Sequence, residues 1–252
     1  MLRCMFTGIV QGVARVTRRV ERPGLVSFEL AFPPGFDQGL EVGASVAVDG
    51  VCLTVTGHAG PSRATFDVMQ QSLALTTLGA LTEGSAANVE RAARDGAEIG
   101  GHPLSGHVDG LGRIVQVRRP ENNHVLRIEL PPALRRYVFG KGYVAVNGCS
   151  LTAADVDRAV GWFEVWLIPE TLRMTTFGSR REGDPVNIEI ERQTQVFVDT
   201  VREAIDERLG PLLPALRALL GERAVALDDL ALPPGGAPPL PPGGAPPLPP
   251  PR

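Results

Sequence analysis

The sequence of 252 residues has few cysteines, histidines and aromatic side chains, and no long run of apolar or basic residues. Its three cysteines, Cys4, Cys52 and Cys149, lack the spacing of a metal site and cannot all pair in disulfides, which indicates a reduced, cytoplasmic environment. Because 18 consecutive apolar residues are absent, no membrane-spanning helix is predicted. A formal net charge of −3 gives no electrostatic basis for binding nucleic acid or an anionic membrane.

The motifs of many cofactor-dependent enzymes are also missing. The sequence has no Walker loop, no G-x-G-x-x-G that opens a helix and no G-x-S-x-G elbow. Its four histidines lack the cysteine or carboxylate spacing of a metal site, so no metal site is expected. Residues 1–4 lack the apolar segment of a secretory signal, and Met5 is a second candidate start.

What the sequence does contain is an internal duplication. Residues 46–55 (VAVDGVCLTV) return as residues 144–153 (VAVNGCSLTA), with 6 identities in 10 positions at an offset of 98. Residues 6–12 align with residues 104–110 at the same offset, and residues 88–90 (NVE) align with residues 187–189 (NIE) at an offset of 99. A repeat of this length is the size of a small domain, so the chain is predicted to be a tandem pair.

Both copies read as short β-branched strands separated by Gly and Pro, a pattern typical of antiparallel barrels or sandwiches. A closed barrel has no edge strands and is the better interpretation. Short helical segments are predicted at residues 76–81 and 131–138. The predicted domains are residues 5–101, 102–193, 194–210 and 211–252.

The third of these domains has helical periodicity. Apolar residues recur at helical spacing over residues 195–209, with Thr194 as the N-cap. This apolar stripe either packs on its own chain or joins copies in an oligomer. A further helix is predicted at residues 214–220. Two PPGGAPPL repeats follow from residue 233 and predict a disordered, solvated tail, with a Pro-rich ligand for a partner domain as the alternative.

The two copies differ where chemistry is expected. Cys52 and Thr54 of the first copy align with Ser150 and Thr152 of the second. Side chains two apart on a strand face the same way, so each barrel would present a small polar pair, although packing and β-propensity alone also account for these residues.

A second difference lies between the copies. His107 aligns with Ile9, and an imidazole suits proton transfer near neutral pH. A structural histidine in a Gly-rich turn is the alternative.

At these residues the sequence resembles the riboflavin synthase family of the alpha-chain type. The matching strings are MFTGIV (5–10), DGVCLTV (49–55), NVERA (88–92), GGHPLSGHVDG (100–110), residues 141–152, LIPET (167–171) and residues 187–191. The resemblance covers about residues 5–205 and leaves the segment after residue 210 outside it.

The resemblance implies an all-β fold of two tandem six-stranded antiparallel barrels, followed by a helix that helps to build a homotrimer. Each barrel would bind one molecule of 6,7-dimethyl-8-ribityllumazine, and each site would lie where the first barrel of one subunit meets the second barrel of its neighbour. The two molecules would dismutate to riboflavin and 5-amino-6-ribitylaminouracil by transfer of a four-carbon unit, without metal or cofactor.

The resemblance also implies the site residues. The first pocket would be lined by Cys52, Leu53, Thr54, Asp67, Val68, Met69, Gln70, Gln71, Ser72, Gly106, His107 and Val108. The second pocket would be lined by Gly8, Ile9, Val10, Lys141, Ser150, Leu151, Thr152, Trp166, Leu167, Ile168, Pro169, Glu170 and Thr171, with Lys141 reaching across the interface. The catalytic positions would be His107, Cys52, Ser150 and Thr152.

Three positions depart from the family pattern. Asn147 and Glu191 stand where relatives often have Asp, which puts a carboxylate role in doubt, and Ser72 replaces a usual Thr.

Two other functions remain open from the residues. The first is a non-catalytic lumazine- or flavin-binding protein of the same fold. The second is a structural barrel pair that gathers partners through the proline-rich tail. The sequence leaves an association with lumazine synthase undecided.

Overall fold

A computed structural model describes residues 6–94, 96, 98–121, 123–214 and 218. The chain divides into two compact units between Asp199 and Thr200, and the first unit holds both copies of the duplication. The predicted proline-rich tail lies outside the described residues, and the predicted domain boundaries stay a prediction. No helix in the described part of the chain is long and apolar enough to span a membrane.

The first copy forms a closed antiparallel barrel. Its strands are β1 (Gly12–Arg22), β2 (Leu25–Ala31), β3 (Ser45–Val48), β4 (Val51–His58), β5 (Arg63–Met69) and β6 (Ala86–Arg91). Their order around the barrel is β1-β2-β5-β4-β3-β6. Alternate residues of β2, Val26, Phe28 and Leu30, face the core because successive side chains of a strand point to opposite sides.

The second copy repeats this arrangement with one interruption. Its strands are β7 (Gly110–Arg118), β8 (His124–Glu129), β9 (Tyr143–Val146), β10 (Cys149–Thr152), β11 (Asp155–Asp157), β12 (Trp162–Leu167) and β13 (Pro185–Glu189). The sheet order is β10-β9-β13-β7-β8-β12-β11. The segment that forms the single strand β4 in the first copy is interrupted at residues 153–154 in the second copy. It therefore forms two strands, β10 and β11, which accounts for the seventh strand. The predicted tandem all-β fold is confirmed.

Equivalent short helices follow equivalent strands in the two copies. Helix α1 (Gln70–Leu75) and helix α2 (Pro169–Met174) each follow a strand and lead into a 3-10 turn, Thr77–Ala80 or Thr176–Ser179. The helical turn predicted at residues 76–81 is therefore present. Of the helix predicted at residues 131–138, the structure forms only the 3-10 turn Arg135–Tyr137.

The C-terminal helix α3 (Arg192–Leu209) is present, as predicted, but begins earlier than expected. The backbone N–H of Gln195 donates to the carbonyl of Glu191 at 3.1 Å, so Glu191 occupies the N-cap position and the prediction of Thr194 is wrong. The Tyr137 hydroxyl donates to Asp199 at 2.7 Å, and Val198 packs against the second core. These contacts fix the start of α3 on the second barrel.

Beyond its first turns α3 presents apolar side chains to solvent. Phe197 is 70% exposed, and Val201, Ile205 and Leu209 are each at least 41% exposed. A 3-10 turn, Gly210–Leu212, follows the helix. Of the helix predicted at residues 214–220, the structure describes only residues 214 and 218, both helical.

Candidate active site

The duplicated hairpins meet at their turns. Asp49 and Gly50 link β3 to β4 with φ of 44° and 83°, and Asn147 and Gly148 link β9 to β10 with φ of 44° and 76°. A Cβ added to Gly50 would lie 2.6 Å from the backbone nitrogen of Gly148. The positive φ and this close approach together require glycine at both turns. The two copies therefore contact each other through these turns.

Two asparagines connect the copies across this contact. Asn88 donates from Nδ2 to the carbonyl of Asn147 at 3.0 Å, and Asn187 donates from Nδ2 to the carbonyl of Asp49 at 2.8 Å. All four residues are buried. The repeated Asn-x-Glu of β6 and β13 was visible in the sequence as a matching string, but its role as a link between copies was not predicted.

The segments that precede the two barrels also pair with each other. Phe6 and Leu104 form an antiparallel bridge with two backbone hydrogen bonds of 3.0 Å. From this bridge each segment continues to the other copy's barrel. Val10 packs in the core of the second barrel, and Val108 packs against the core of the first.

This exchange of segments brings the predicted site residues together in two sets. The N–H of Cys52 donates to the carbonyl of Gly106 at 2.8 Å, and the N–H of Ser150 donates to the carbonyl of Gly8 at 2.8 Å. A Cβ on Gly106 would lie 2.6 Å from the Cβ of Cys52, and a Cβ on Gly8 would lie 2.5 Å from that of Ser150. Each predicted set thus combines one copy's strand with the other copy's loop.

Buried glutamates hold both loops in place. Glu90 accepts hydrogen bonds from the N–H and hydroxyl of Thr7 at 2.6 and 2.7 Å, and from the N–H of Gly8 at 3.1 Å. Glu189 accepts from the N–H and hydroxyl of Ser105, both at 2.7 Å. Burial raises the pKa of both carboxyls, and these hydrogen bonds act in the opposite direction.

In the first pocket, β4 carries Cys52 half-buried, Leu53 buried and Thr54 exposed. Burial is the largest cause that raises the pKa of the Cys52 thiol, and the Glu189 charge adds to it, whereas a hydrogen bond from Ser45 lowers it. A raised pKa leaves less thiolate at neutral pH.

The next predicted residues of the first set lie on the neighbouring strand. Strand β5 pairs with β4, and it ends at Met69, which is 60% exposed. Asp67 accepts a hydrogen bond from Ser27 at 2.5 Å, and Val68 is buried in the first core. The other predicted residues of this segment lie on α1, with exposed Gln70 and Gln71 and half-buried Ser72.

His107 lies on the loop that reaches the first barrel and is exposed. Its backbone N–H donates to the Ser105 hydroxyl at 3.3 Å, as that of Ile9 donates to Thr7 at 3.2 Å. Ile9 is 46% exposed in the loop on the second barrel. Equivalent loops therefore carry an exposed imidazole beside the first barrel and an exposed aliphatic side chain beside the second.

In the second pocket, Ser150 has a partner that was not predicted. Its hydroxyl lies 2.6 Å from Nδ1 of His102, whose ring stacks on Tyr143 with centroids 5.3 Å apart. His102 is buried, and that burial lowers its pKa, while the Glu191 charge raises it to a smaller extent. The only signal for His102 was its place in the Gly-rich segment before His107.

The glycine before His102 explains how the histidine reaches Ser150. A Cβ on Gly101 would lie 2.3 Å from the carbonyl oxygen of Thr7 and 2.7 Å from the Cβ of Ser150. Only a residue without a side chain fits in this gap, so the linker between the copies lies directly against Ser150.

The remaining predicted residues surround this pocket on several elements. On β10, Leu151 is buried and Thr152 is exposed. Along the end of β12 and the start of α2, Trp166, Ile168, Pro169 and Glu170 are exposed, Leu167 is buried and Thr171 is half-buried. Exposed Lys141 precedes β9 with φ of 69°, and its N–H donates to Ala153 at 2.7 Å.

Asn147 and Glu191, which stand where the family pattern often has Asp, both make hydrogen bonds in the structure. Asn147 is fully buried in the turn, where its Oδ1 accepts from the N–H of Asn187 at 2.7 Å. Glu191 precedes α3 and accepts from the Thr194 hydroxyl at 2.7 Å. Among the residues that the structure describes, no group of three or more His, Cys, Asp or Glu could hold a metal ion.

Comparison with known proteins identifies the family of the duplicated domain. Residues 7–92 and residues 105–191 each match the lumazine binding domain. The riboflavin synthase of Escherichia coli strain K12 is 42% identical over 205 residues, which cover 81% of this chain and 95% of that protein. The riboflavin synthase of Chlamydia pneumoniae is 43% identical over 201 residues, which cover 80% and 97%.

Solved structures share the fold at lower identity. LumP complexed with riboflavin aligns with a TM-score of 0.69 at 23% identity, over 75% of this chain and 100% of that chain. LumP complexed with 6,7-dimethyl-8-(1'-D-ribityl) lumazine gives a TM-score of 0.67 over the same shares. With two tandem lumazine binding domains and relatives above 40% identity over four fifths of its length, this chain belongs to the riboflavin synthase family.

Proposed function

We propose that the chain dismutates 6,7-dimethyl-8-ribityllumazine in two inequivalent pockets shared between subunits of a homotrimer. As a member of the riboflavin synthase family it is an enzyme, a transferase that forms riboflavin. Two molecules of the lumazine react, a four-carbon unit passes from one to the other, and 5-amino-6-ribitylaminouracil is the second product. We also place the protein in the cytoplasm, which its low cysteine content and the free Cys52 and Cys149 support.

The exchange of loops between the copies carries this proposal. It sets His107 beside the barrel of Cys52 and sets Ile9 beside the barrel of Ser150, so two homologous pockets hold different groups. A reaction between two identical molecules needs one donor and one acceptor. Pockets that differ at equivalent positions can hold the two copies of one substrate in different roles.

The chemistry asks the protein mainly for orientation and proton transfer. The C7 methyl group of the lumazine is acidic, so its carbanion forms without a metal or an electron-accepting cofactor. Holding two reactants in a reactive geometry supplies roughly 7–11 kcal/mol. A positioned acid or base adds about 10²–10⁴-fold. The exposed imidazole of His107 is the group that we assign to proton transfer, with Cys52 beside it.

In the second pocket, His102 sets the role of Ser150. Because burial lowers the pKa of His102, its imidazole is neutral at physiological pH. The Ser150 hydroxyl and Nδ1 of His102 form a hydrogen bond of 2.6 Å whose direction depends on the imidazole tautomer, and in either direction this bond fixes the orientation of the Ser150 side chain. His102 is therefore a positioning residue for Ser150, and Thr152 lies two residues further along the same strand face.

The apolar side of α3 supports the trimer. Phe197, Val201 and Ile205 recur at intervals of four residues and are exposed, as expected for an interface between helices of separate subunits. A trimer that joins neighbouring barrels brings the first pocket of one subunit to the second pocket of the next.

Mixing two inactive variants tests the sharing of sites. Cys52→Ala damages the first pocket of every subunit, and Ser150→Ala damages the second. If a site is shared, mixed trimers refolded from both variants contain interfaces with two intact pockets and regain riboflavin formation, whereas each variant refolded alone does not. Mixed trimers without regained activity would contradict the shared site.

A further inference from the structure

In the contact between the two copies, Asp49 is a charged residue whose counterpart in the other copy, Asn147, is uncharged. Asp49 and Asn147 occupy equivalent positions in the two hairpin turns, and both are fully buried. The backbone surroundings are the same on the two sides. Asp49 accepts from the N–H of Asn88 at 2.8 Å, and Asn147 accepts from the N–H of Asn187 at 2.7 Å. The difference between the sides is therefore the carboxylate itself.

A second asymmetry compensates the first. Nη2 of Arg180 lies 3.6 Å from Oδ2 of Asp49, and its side chain is 19% exposed. Arg180 belongs to the second copy, and the residue aligned with it in the first copy is Leu81. The charged pair Asp49 and Arg180 thus replaces the uncharged pair Asn147 and Leu81.

The pair is incompletely satisfied. Among the described residues, Oδ2 of Asp49 and Nε of Arg180 are both buried without a hydrogen-bond partner. Both side chains line a crevice of about 350 Å³ between the copies, and its polar lining also includes Thr77, Ser85, Thr176 and Asp184. Asp184 is the other charged group of this crevice, and it accepts from the N–H of Arg181 at 2.9 Å.

We infer that Asp49 and Arg180 form a proton-sensitive link between the two copies. When Asp49 is ionised, Arg180 is held across the boundary by charge. When Asp49 is protonated, this attraction is lost, the guanidinium can turn to solvent, and the turn has the same charge as the Asn147 turn. As the pH changes, the link therefore alters the contact between the copies and the interactions that hold the turn before β4.

The pKa of Asp49 places this change close to physiological pH. Burial raises it from 3.8 to about 6, and the Arg180 charge is the largest opposing influence. The folded protein consequently binds the proton more tightly than the unfolded chain, so this group makes the protein more stable as the pH falls from above 6 towards 4. At pH 8 the carboxylate is ionised and depends on Arg180.

Unfolding of the full-length protein by urea at pH 5 and pH 8 tests the link. Arg180→Leu, which copies the residue at position 81, removes the partner of Asp49. The unfolding equilibrium constant at pH 8 should increase about tenfold for each unit by which the pKa of Asp49 rises, with little change at pH 5. In an Asp49→Asn background the same substitution should have a small and pH-independent effect. Asp184→Asn is the matched control and should not reproduce the pattern.

Two results would overturn the inference. The first is an Arg180→Leu effect of equal size at pH 5 and pH 8. The second is an undiminished effect in the Asp49→Asn background. If Arg180→Leu does not fold at pH 8, the inference is tested with Arg180→Lys and with the double variant Asp49→Asn, Arg180→Leu. The link predicts that Arg180→Lys, which keeps the charge, folds and that Asp49→Asn restores folding to Arg180→Leu.

Discussion

Gly8 and Ser150 lie so close together that a Cβ on Gly8 would be 2.5 Å from the Cβ of Ser150. The φ of Gly8 is +75°, so a side chain there is both strained and without room. Gly8→Ala should lower stability by about 1–3 kcal/mol and displace the loop from Ser150. Thermal unfolding and riboflavin formation would measure the two effects.

Gly24→Ala is the control for this prediction. Gly24 has a φ of +80° and nothing within 4 Å of an added Cβ, so it isolates the backbone strain from the contact. Equal losses of activity in both variants would mean that the contact with Ser150 is unimportant.

His107 and Ser150 should serve the chemistry more than the fold. His107→Gln and Ser150→Ala should each lower kcat by about 10²–10⁴. The melting temperature of His107→Gln should stay close to that of the parent, whereas Ser150→Ala should also melt somewhat earlier because it leaves Nδ1 of buried His102 without its partner. His107 is exposed, so its replacement leaves no cavity. Early melting together with normal turnover of the folded fraction would show a structural role instead.

The Cys52 thiol should react slowly at neutral pH. Because its pKa is raised, the thiolate fraction at pH 7.5 is small and alkylation should accelerate as the pH rises past 9. Burial raises the pKa of Cys149 to about 12, and that thiol should stay unmodified until the protein unfolds. Mass spectrometry of iodoacetamide-treated Cys4→Ser protein distinguishes the two sites, and fast labelling of Cys52 at pH 7 would contradict this assignment.

The apolar stripe of α3 should hold the trimer together. Phe197→Glu with Ile205→Glu places charges on the exposed stripe, so the mass in solution should fall to that of a monomer and riboflavin formation should cease. Arg202→Glu, on another face of the helix, is the matched control. Removal of residues 211–252 should leave the trimer intact. Trimers that survive both glutamates would refute the assignment.

The sequence was sufficient to predict the duplicated barrels because the two DG and NG turns and their flanking strands are local signals. It also indicated, through the family resemblance, which loop accompanies each pocket. It did not indicate the contact of His102 with Ser150, because this contact joins residues 48 positions apart whose proximity comes from the packing of the linker on the second copy. The proximity of Asp49 to Arg180 follows from the packing of one copy on the other, which no local pattern records.

Incubation of the purified protein with 6,7-dimethyl-8-ribityllumazine alone tests most directly whether two inequivalent pockets convert two copies of one substrate. Riboflavin absorbance should appear without any additive and in the presence of a chelator, with one riboflavin formed for every two lumazine molecules consumed. Tight binding of the lumazine without riboflavin would instead identify a pigment-binding protein. A requirement for an added nicotinamide, flavin or metal would contradict the account of the chemistry.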